Sequence, residues 1–306
     1  MKKLIFIGTS EFGLPALEKA RESFELVSIV TQTDKPSGRK KISTPSPVKV
    51  WAESQNLSLL QPKKIIEAEQ ELAKLNPDLI LVASYGQILP KKILLLPKCG
   101  CVNIHPSLLP KYRGPTPIQT ALLNGDKETG VCLIQMDEKM DHGPIIATKT
   151  VPIFPDDDFS SLMKKLAEAG AGLVSENLLN FAESKIVPKE QDESKATFTK
   201  IFSLADARID WIKPAHEIQN FIKALNPEPG AWTTLSDKSV KIIKGRALPS
   251  TTVELPGKAE KIGKDLAIKC TGGYLLADIV QPEGKKPMSG KDYLNGLKPI
   301  SEKIFV

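Results

Sequence analysis

Four short apolar runs, residues 2–7, 25–31, 78–83 and 100–104, constrain this chain most. Between them the apolar residues recur at helical spacing, as in Leu14, Leu17 and Ala20, or Ile65, Ala68 and Leu72. A strand that is apolar along its whole length is usually covered on both faces, and strands alternating with helices are joined by crossovers. The expected class is therefore α/β, with a mostly parallel sheet and helices on either side.

Local signals refine this. Ser46 before Pro47 is an N-cap and first-turn pair, so a helix should start there, and Thr33 to Pro45 before it reads as a loop. Strands are expected at 130–136 and 145–152. A helix over 159–182 would align Phe159, Leu162, Met163, Leu166, Leu173, Val174, Leu178 and Phe181, with Asp156 to Asp158 at its positive end. The chain then turns polar through K-I-V-P-K-E-Q-D-E-S-K-A-T. Beyond come a helix at 214–225 and short β-like runs at 231–235, 239–243, 266–270 and 273–279, spaced as in a small barrel. The length of 306 residues suits two domains, at about 150 residues each. Trp211 and Trp232 are expected to anchor the second core.

A composition of 41% hydrophobic and 25% charged residues is that of a soluble globular chain. No apolar run approaches the roughly 20 residues that span a bilayer. The basic start Met-Lys-Lys runs into Leu-Ile-Phe-Ile-Gly without a small-residue cleavage site, and reads as a first strand. Cys99, Cys101, Cys132 and Cys270 form no C-x-x-C pair, which points to a reducing, cytoplasmic setting, and the C-G-C at 99–101 reads as packing rather than redox chemistry. Net charge is +6; residues 206–306 hold 16 Lys/Arg against 12 Asp/Glu, leaving 26 against 24 for the longer remainder. The last third is thus the more basic per residue, which suits a polyanionic partner.

The chemistry concentrates in C-V-N-I-H-P-S-L-L-P, residues 101–110. In a strand, Asn103 and His105 face the same side, at the carboxyl end where open α/β sheets place their ligands. An asparagine amide can hold a developing oxyanion, and an imidazole can take or give a proton near neutrality. The pair suits acyl transfer, although the same spacing also fits a turn-capping asparagine and a histidine satisfied at a strand end. Asp141, in the Gly/Pro-bounded loop M-D-E-K-M-D-H-G-P, can reach the same cleft and order a water for proton transfer; Asp137, Glu138 and Asp141 also read as a solvated turn. Three scattered histidines, His142 among them, lack metal-site spacing, and no metal is expected. G-T-S-E-F-G at 8–13 lacks the middle glycine of a dinucleotide fingerprint.

These residues carry a resemblance. N-I-H-P-S-L-L-P, K-Y-R-G-P-T-P-I-Q, N-G-D-K-E-T-G-V and D-H-G-P-I-I are similar to segments of the folate-dependent formyltransferases, which use 10-formyltetrahydrofolate. G-T-S-E-F, T-Q-T-D-K-P-S-G-R-K-K, P-S-P-V-K, S-Y-G-Q-I-L-P, A-R-I-D-W, A-L-N-P-E-P-G-A-W and K-K-P-M-S-G resemble, within that family, the members acting on initiator methionyl-tRNA; coverage runs from residue 3 to about 295. The resemblance implies a Rossmann-like catalytic domain over 1–188, a linker over 189–205 and an OB-like barrel that binds tRNA over 206–306. It places Asn103, His105 and Asp141 on the catalytic positions. Ser107, Leu108, Leu109 and Pro110 fall on the folate-binding turn, and Tyr85, Gly86, Gln87, Ile88 and Leu89 on the segment lining the pterin pocket. It implies a monomer.

Two features depart from that pattern. Pro106, and the loop Asp141-His142-Gly143-Pro144, look more like glycinamide ribonucleotide formyltransferase, which bears on the acceptor rather than the reaction. On the other side stands the basic segment 34–49, with Lys35, Arg39, Lys40, Lys41 and Lys49, where charge and Gly/Pro content suit a phosphate backbone. The resemblance gives this loop the acceptor stem, with Arg39 as the wedge. Lys285 and Lys286 are phosphate contacts or surface lysines of a turn. A nucleotide-pathway enzyme has no need of the last hundred residues, and a nucleotide-sugar enzyme has no need of the basic insertion.

Overall fold

The structure, a computed structural model, describes residues 1–37, 42–251, 255–297 and 299–306. The chain divides into two compact units, one of residues 1–117, 128–152 and 163–199, the other of residues 118–127, 153–162 and 200–306. Residues 189–199 of the polar segment belong to the first unit and 200–205 to the second.

In chain order the elements up to residue 182 are β1 (Lys2–Gly8), α1 (Leu14–Ala20), β2 (Phe24–Val30), β3 (Lys35–Ser37), β4 (Ile42–Thr44), α2 (Pro47–Ser54), β5 (Leu59–Leu60), α3 (Glu69–Lys74), β6 (Leu79–Ala83), α4 (Lys91–Leu94), β7 (Cys101–His105), α5 (Pro117–Leu123), β8 (Glu128–Gln135), β9 (Ile145–Pro152) and α6 (Phe159–Ala182). Seven strands make one sheet in the order β5-β2-β1-β6-β7-β8-β9. The first five run parallel, and β6, apolar throughout, is buried throughout. The parallel pattern stops at β7: β8 pairs antiparallel with β7, and β9 antiparallel with β8. The connection 136–144 is too short for a crossover, so β9 has to return alongside β8.

Val102 and Ile104 are buried on one face of β7, and a side chain built on Gly170 of α6 would meet the Ile104 Cγ2 at 3.0 Å. The small residues of A-E-A-G-A-G therefore let this helix lie close to the strand that carries Asn103 and His105. Helix α2 begins as expected, with the Ser46 hydroxyl accepting from the Lys49 N–H at 3.1 Å and Pro47 in the first turn. The 33–45 segment is not all loop: β3 and β4 pair as a short hairpin, Lys35 opposite Thr44. Lys49 is committed to Asp34 at 2.8 Å and holds that carboxyl below its usual range.

The second unit contains α7 (Ala215–Leu225), β10 (Trp232–Leu235), β11 (Lys238–Pro249), β12 (Ala259–Ile262), β13 (Asp265–Cys270), β14 (Gly273–Pro282), β15 (Met288–Ser289) and α8 (Gly290–Asn295). Its antiparallel sheet runs β10-β11-β14-β13-β12, with β15 added to β14. Two edges would remain at β10 and β12, and the segment 303–306 lies between them. Thr234 and Val306 exchange both backbone hydrogen bonds at 2.9 Å, the Phe305 N–H donates to the Gly257 carbonyl at 2.8 Å, and the Ala259 N–H donates to the Lys303 carbonyl at 2.9 Å. The ring of pairing is thereby complete, and Phe305 is buried beside Trp211, ring centres 6.2 Å apart. Trp211 is core, its indole N–H on the Thr233 hydroxyl at 3.0 Å. Trp232 is only half-buried, with Arg208 5.6 Å above its ring. Among the described residues no helix is long and apolar enough to cross a membrane.

Candidate active site

Strand β7 alternates as its sequence requires, so Cys101, Asn103 and His105 share the face opposite Val102 and Ile104. His105 ends the strand opposite Cys132 of β8 and is 3% exposed, whereas Asn103 is half-buried. The loop between β8 and β9 brings Asp141 to both. One carboxylate oxygen, Oδ1, accepts from the Asn103 Nδ2 at 3.3 Å and lies 3.5 Å from the His105 Nδ1. The other, Oδ2, accepts from the Gly114 backbone N–H at 2.8 Å.

The ring orientation of His105 follows from its other nitrogen. Nε2 lies 3.0 Å from the Tyr112 carbonyl oxygen. A carbonyl can only accept, so Nε2 carries a hydrogen and donates it. Nδ1, facing Asp141, is left as the ring atom that gains and loses a proton. Ser84 after β6, Tyr112 and Asp141 all adopt left-handed backbone, with φ of 47°, 62° and 48°. Such non-glycine conformations persist where surrounding contacts impose them, and they gather at functional sites.

The turn after β7 is fixed from inside. Ser107 is fully buried, and its hydroxyl donates to the Lys111 carbonyl at 2.6 Å. Leu109 packs on Cys132, Ile134 and Ile145, and Leu108 lies over Gly130. In the segment proposed for the pterin, Tyr85 and Leu89 are buried in the core of the first unit, and burial pushes the Tyr85 hydroxyl up to about 12. Gln87 accepts from the Ile65 N–H at 3.0 Å and donates to the Lys63 carbonyl at 3.1 Å. Ile88 is 77% exposed. The Tyr85 carbonyl accepts from Thr9 and Gln32, while the main chain from Gly86 to Leu89 makes no hydrogen bond among the described residues. Its donors and acceptors suit the polar edge of a flat heterocycle, so the residues present fit a folate.

A support that sequence reasoning missed runs beside the site. Arg113 is 2% exposed; its Nε and Nη2 donate to the Gln191 Oε1 at 3.1 and 2.8 Å, and Nη1 and Nη2 to the two Glu193 carboxylate oxygens at 3.0 and 2.5 Å. The guanidinium holds the Glu193 carboxyl below its usual range. The Gln191 Nε2 donates to the Asp141 and Gly143 carbonyls, each at 2.8 Å. Backbone bonds from Arg113 to Thr197 and Thr199 tie the same segment down at 2.9 and 2.8 Å. His142 stands 2.5 Å from Asp137 and 3.6 Å from Glu193, away from the Asn103 and His105 pair. The one available signal was the lone arginine in K-Y-R-G-P, since a charge between apolar segments needs a partner if it is buried.

Other candidates fall elsewhere. Lys35 is exposed in β3, and Lys285 and Lys286 are exposed in the turn between β14 and β15. Arg39, Lys40 and Lys41 lie outside the described residues. A groove of 890 Å³ lined by Lys91, Leu95, Cys99, Met136, Asp137 and Val187, among others, includes none of Asn103, His105 and Asp141.

Residues 2–178 match the formyl transferase family, and 202–298 the formyl transferase C-terminal domain. The chain is 43% identical to a methionyl-tRNA formyltransferase of Bacillus velezensis, over 97% of this chain and 95% of that one. It is 40% identical to that of Bacillus subtilis, over 97% and 95%. Among solved structures, an N-formyltransferase from Helicobacter canadensis, in complex with folinic acid and dTDP-3-aminofucose, matches with a TM-score of 0.67 at 20% identity, over 92% of this chain and 100% of that chain.

Proposed function

The chain belongs to the formyl transferase family, and on that premise we propose that it transfers the formyl group of 10-formyltetrahydrofolate to the α-amino group of methionine on initiator methionyl-tRNA. The observation that carries the chemistry is the convergence of Asn103 and His105 on one carboxylate oxygen of Asp141. The acceptor rests on relatives of that activity at 40–43% identity across nearly the whole chain, second unit included.

The folate supplies an electrophilic formyl carbon on N10. Asn103 Nδ2 and His105 Nδ1, which meet Asp141 Oδ1 in this structure, are the two neighbouring donors that would switch to the formyl oxygen and hold the negative charge that grows there as the amine adds. His105 keeps its orientation throughout because Nε2 stays bound to the Tyr112 carbonyl. Asp141, through a water, takes the proton that the attacking amine releases; as the oxyanion collapses the bond from the formyl carbon to N10 breaks, N10 receives that proton through the same water, and tetrahydrofolate leaves. The 107–110 turn and the main chain of 85–89 hold the folate. Lys35, Arg39, Lys40 and Lys41 grip the acceptor stem, and Lys285 and Lys286 add phosphate contacts from the second unit.

Purified protein with 10-formyltetrahydrofolate is offered methionine-charged initiator tRNA in one reaction and glycinamide ribonucleotide in another. Formylation of the tRNA alone is the expected outcome. Transfer to the nucleotide alone would mean that Pro106 and the Asp141-His142-Gly143-Pro144 loop decide the acceptor, and the reading would fall.

A further inference from the structure

We infer that Gln191 is a positioning residue for this reaction: its side-chain amide, oriented by Arg113, holds Asp141 in the backbone conformation that aims its carboxylate at Asn103 and His105. The inference rests on the catalytic reading given above. Asp141 has φ of 48°, a left-handed conformation that aspartate can reach but that the free chain populates sparsely. The Gln191 Nε2 holds it there by donating to the carbonyls of Asp141 and Gly143, on either side of the turn. From below, the turn rests on β8: a side chain on Gly143 would come within 1.8 Å of the Gln135 carbonyl oxygen, and the Gln135 N–H donates to the Pro144 carbonyl at 3.0 Å.

An amide can flip, and a flipped Gln191 would set its oxygen against two carbonyls. Arg113 prevents this. A guanidinium only donates, and two of its N–H groups meet Oε1, so the oxygen must face Arg113 and the nitrogen must face the turn. Glu193 balances the charge, which a nearly buried arginine requires. The order of dependence is Glu193, Arg113, Gln191, Asp141. Gln191 lies 50 residues from Asp141 and 78 from Arg113, within a stretch whose composition reads only as a connector.

The test uses two variants of the full chain. Gln191→Glu keeps the size and the acceptor facing Arg113 but replaces the donor with a carboxylate; Gln191→Met keeps the volume and removes both. Each is measured for kcat, for KM toward both substrates and for Tm, alone and combined with Asp141→Asn. The expected result is a kcat lower by roughly 10- to 100-fold, the range for supporting shells and misplaced catalytic groups. KM should change by less than about twofold, and Tm by a few degrees. Adding either variant to Asp141→Asn should then give little further loss, because both act through one carboxylate. Gln191→Glu is the variant to rely on where Gln191→Met does not fold, since its pair with Arg113 is kept. A folded variant with unchanged kcat overturns the inference, as does a full, additive loss on top of Asp141→Asn. If Asp141→Asn itself keeps full activity, it is the catalytic reading of Asp141 that has failed.

Discussion

At the scale of single residues, the site works through where hydrogens are allowed to be. With Nε2 committed to the Tyr112 carbonyl, His105 can change its charge only at Nδ1, the atom that shares Asp141 with Asn103. Asn103→Ala and His105→Ala should therefore each lower kcat by about 10² to 10³, the usual effect of losing one oxyanion donor, in folded protein whose circular dichroism matches the parent. The cysteines give a separate, pH-dependent expectation. Burial pushes the Cys101 thiol up to about 12 and the Cys270 thiol up to about 11, against an ordinary value of 9.0. The folded state keeps a proton that the unfolded chain gives up. Their contribution is thus intact below the ordinary value and is lost as pH rises toward 11 and 12. Unfolding midpoints should fall between pH 9 and 11, and Cys270→Ala should flatten that fall. The pairing of Asn103 with His105 was legible because a two-residue repeat needs only a strand. Arg113 and Gln191 were not, since their partners come from distant parts of the chain.

Single elements were legible in proportion to how far their signals are local. Helix α6 runs from Phe159 to Ala182 as its apolar spacing predicts, and the acidic run before it does more than meet the helix dipole. The Asp158 carboxylate accepts from the Ser161 N–H at 2.9 Å, while the Asp158 N–H donates to the Ser161 hydroxyl at 3.1 Å, a reciprocal cap. Asp158→Ala should cost about 1 kcal/mol, seen as faster amide exchange in the first turns of α6, and Asp158→Asn should recover most of it. Strand β12, A-E-K-I, and the two-residue β15 gave no such signal. Each is short and half polar, and each exists because a longer neighbour, β13 or β14, offers it an edge. The reversal of direction at β8 was equally hidden, because apolar runs report burial and not orientation.

For the whole molecule, two units of different class were legible from the change in period, from helix-separated apolar runs to closely spaced β-like ones. What closes the second unit was not, because K-I-F-V, residues 303–306, is too short to carry a strand period of its own. Phe305 is 1% exposed, so Phe305→Ala should remove about 3–5 kcal/mol from that unit while leaving the first unit's melting transition in place; scanning calorimetry separates the two. The closure also has a consequence in time. Thr234 and Val306, which bond to each other, are 72 residues apart, and at about 5–20 residues per second the ribosome takes roughly 4 to 14 s to deliver the second after the first. For that interval β10 stands in the nascent chain as a strand edge without its partner, the kind of surface on which chains associate wrongly. Translation speed between residues 235 and 303, which no folded contact reveals, thereby bears on how long that edge waits for its partner.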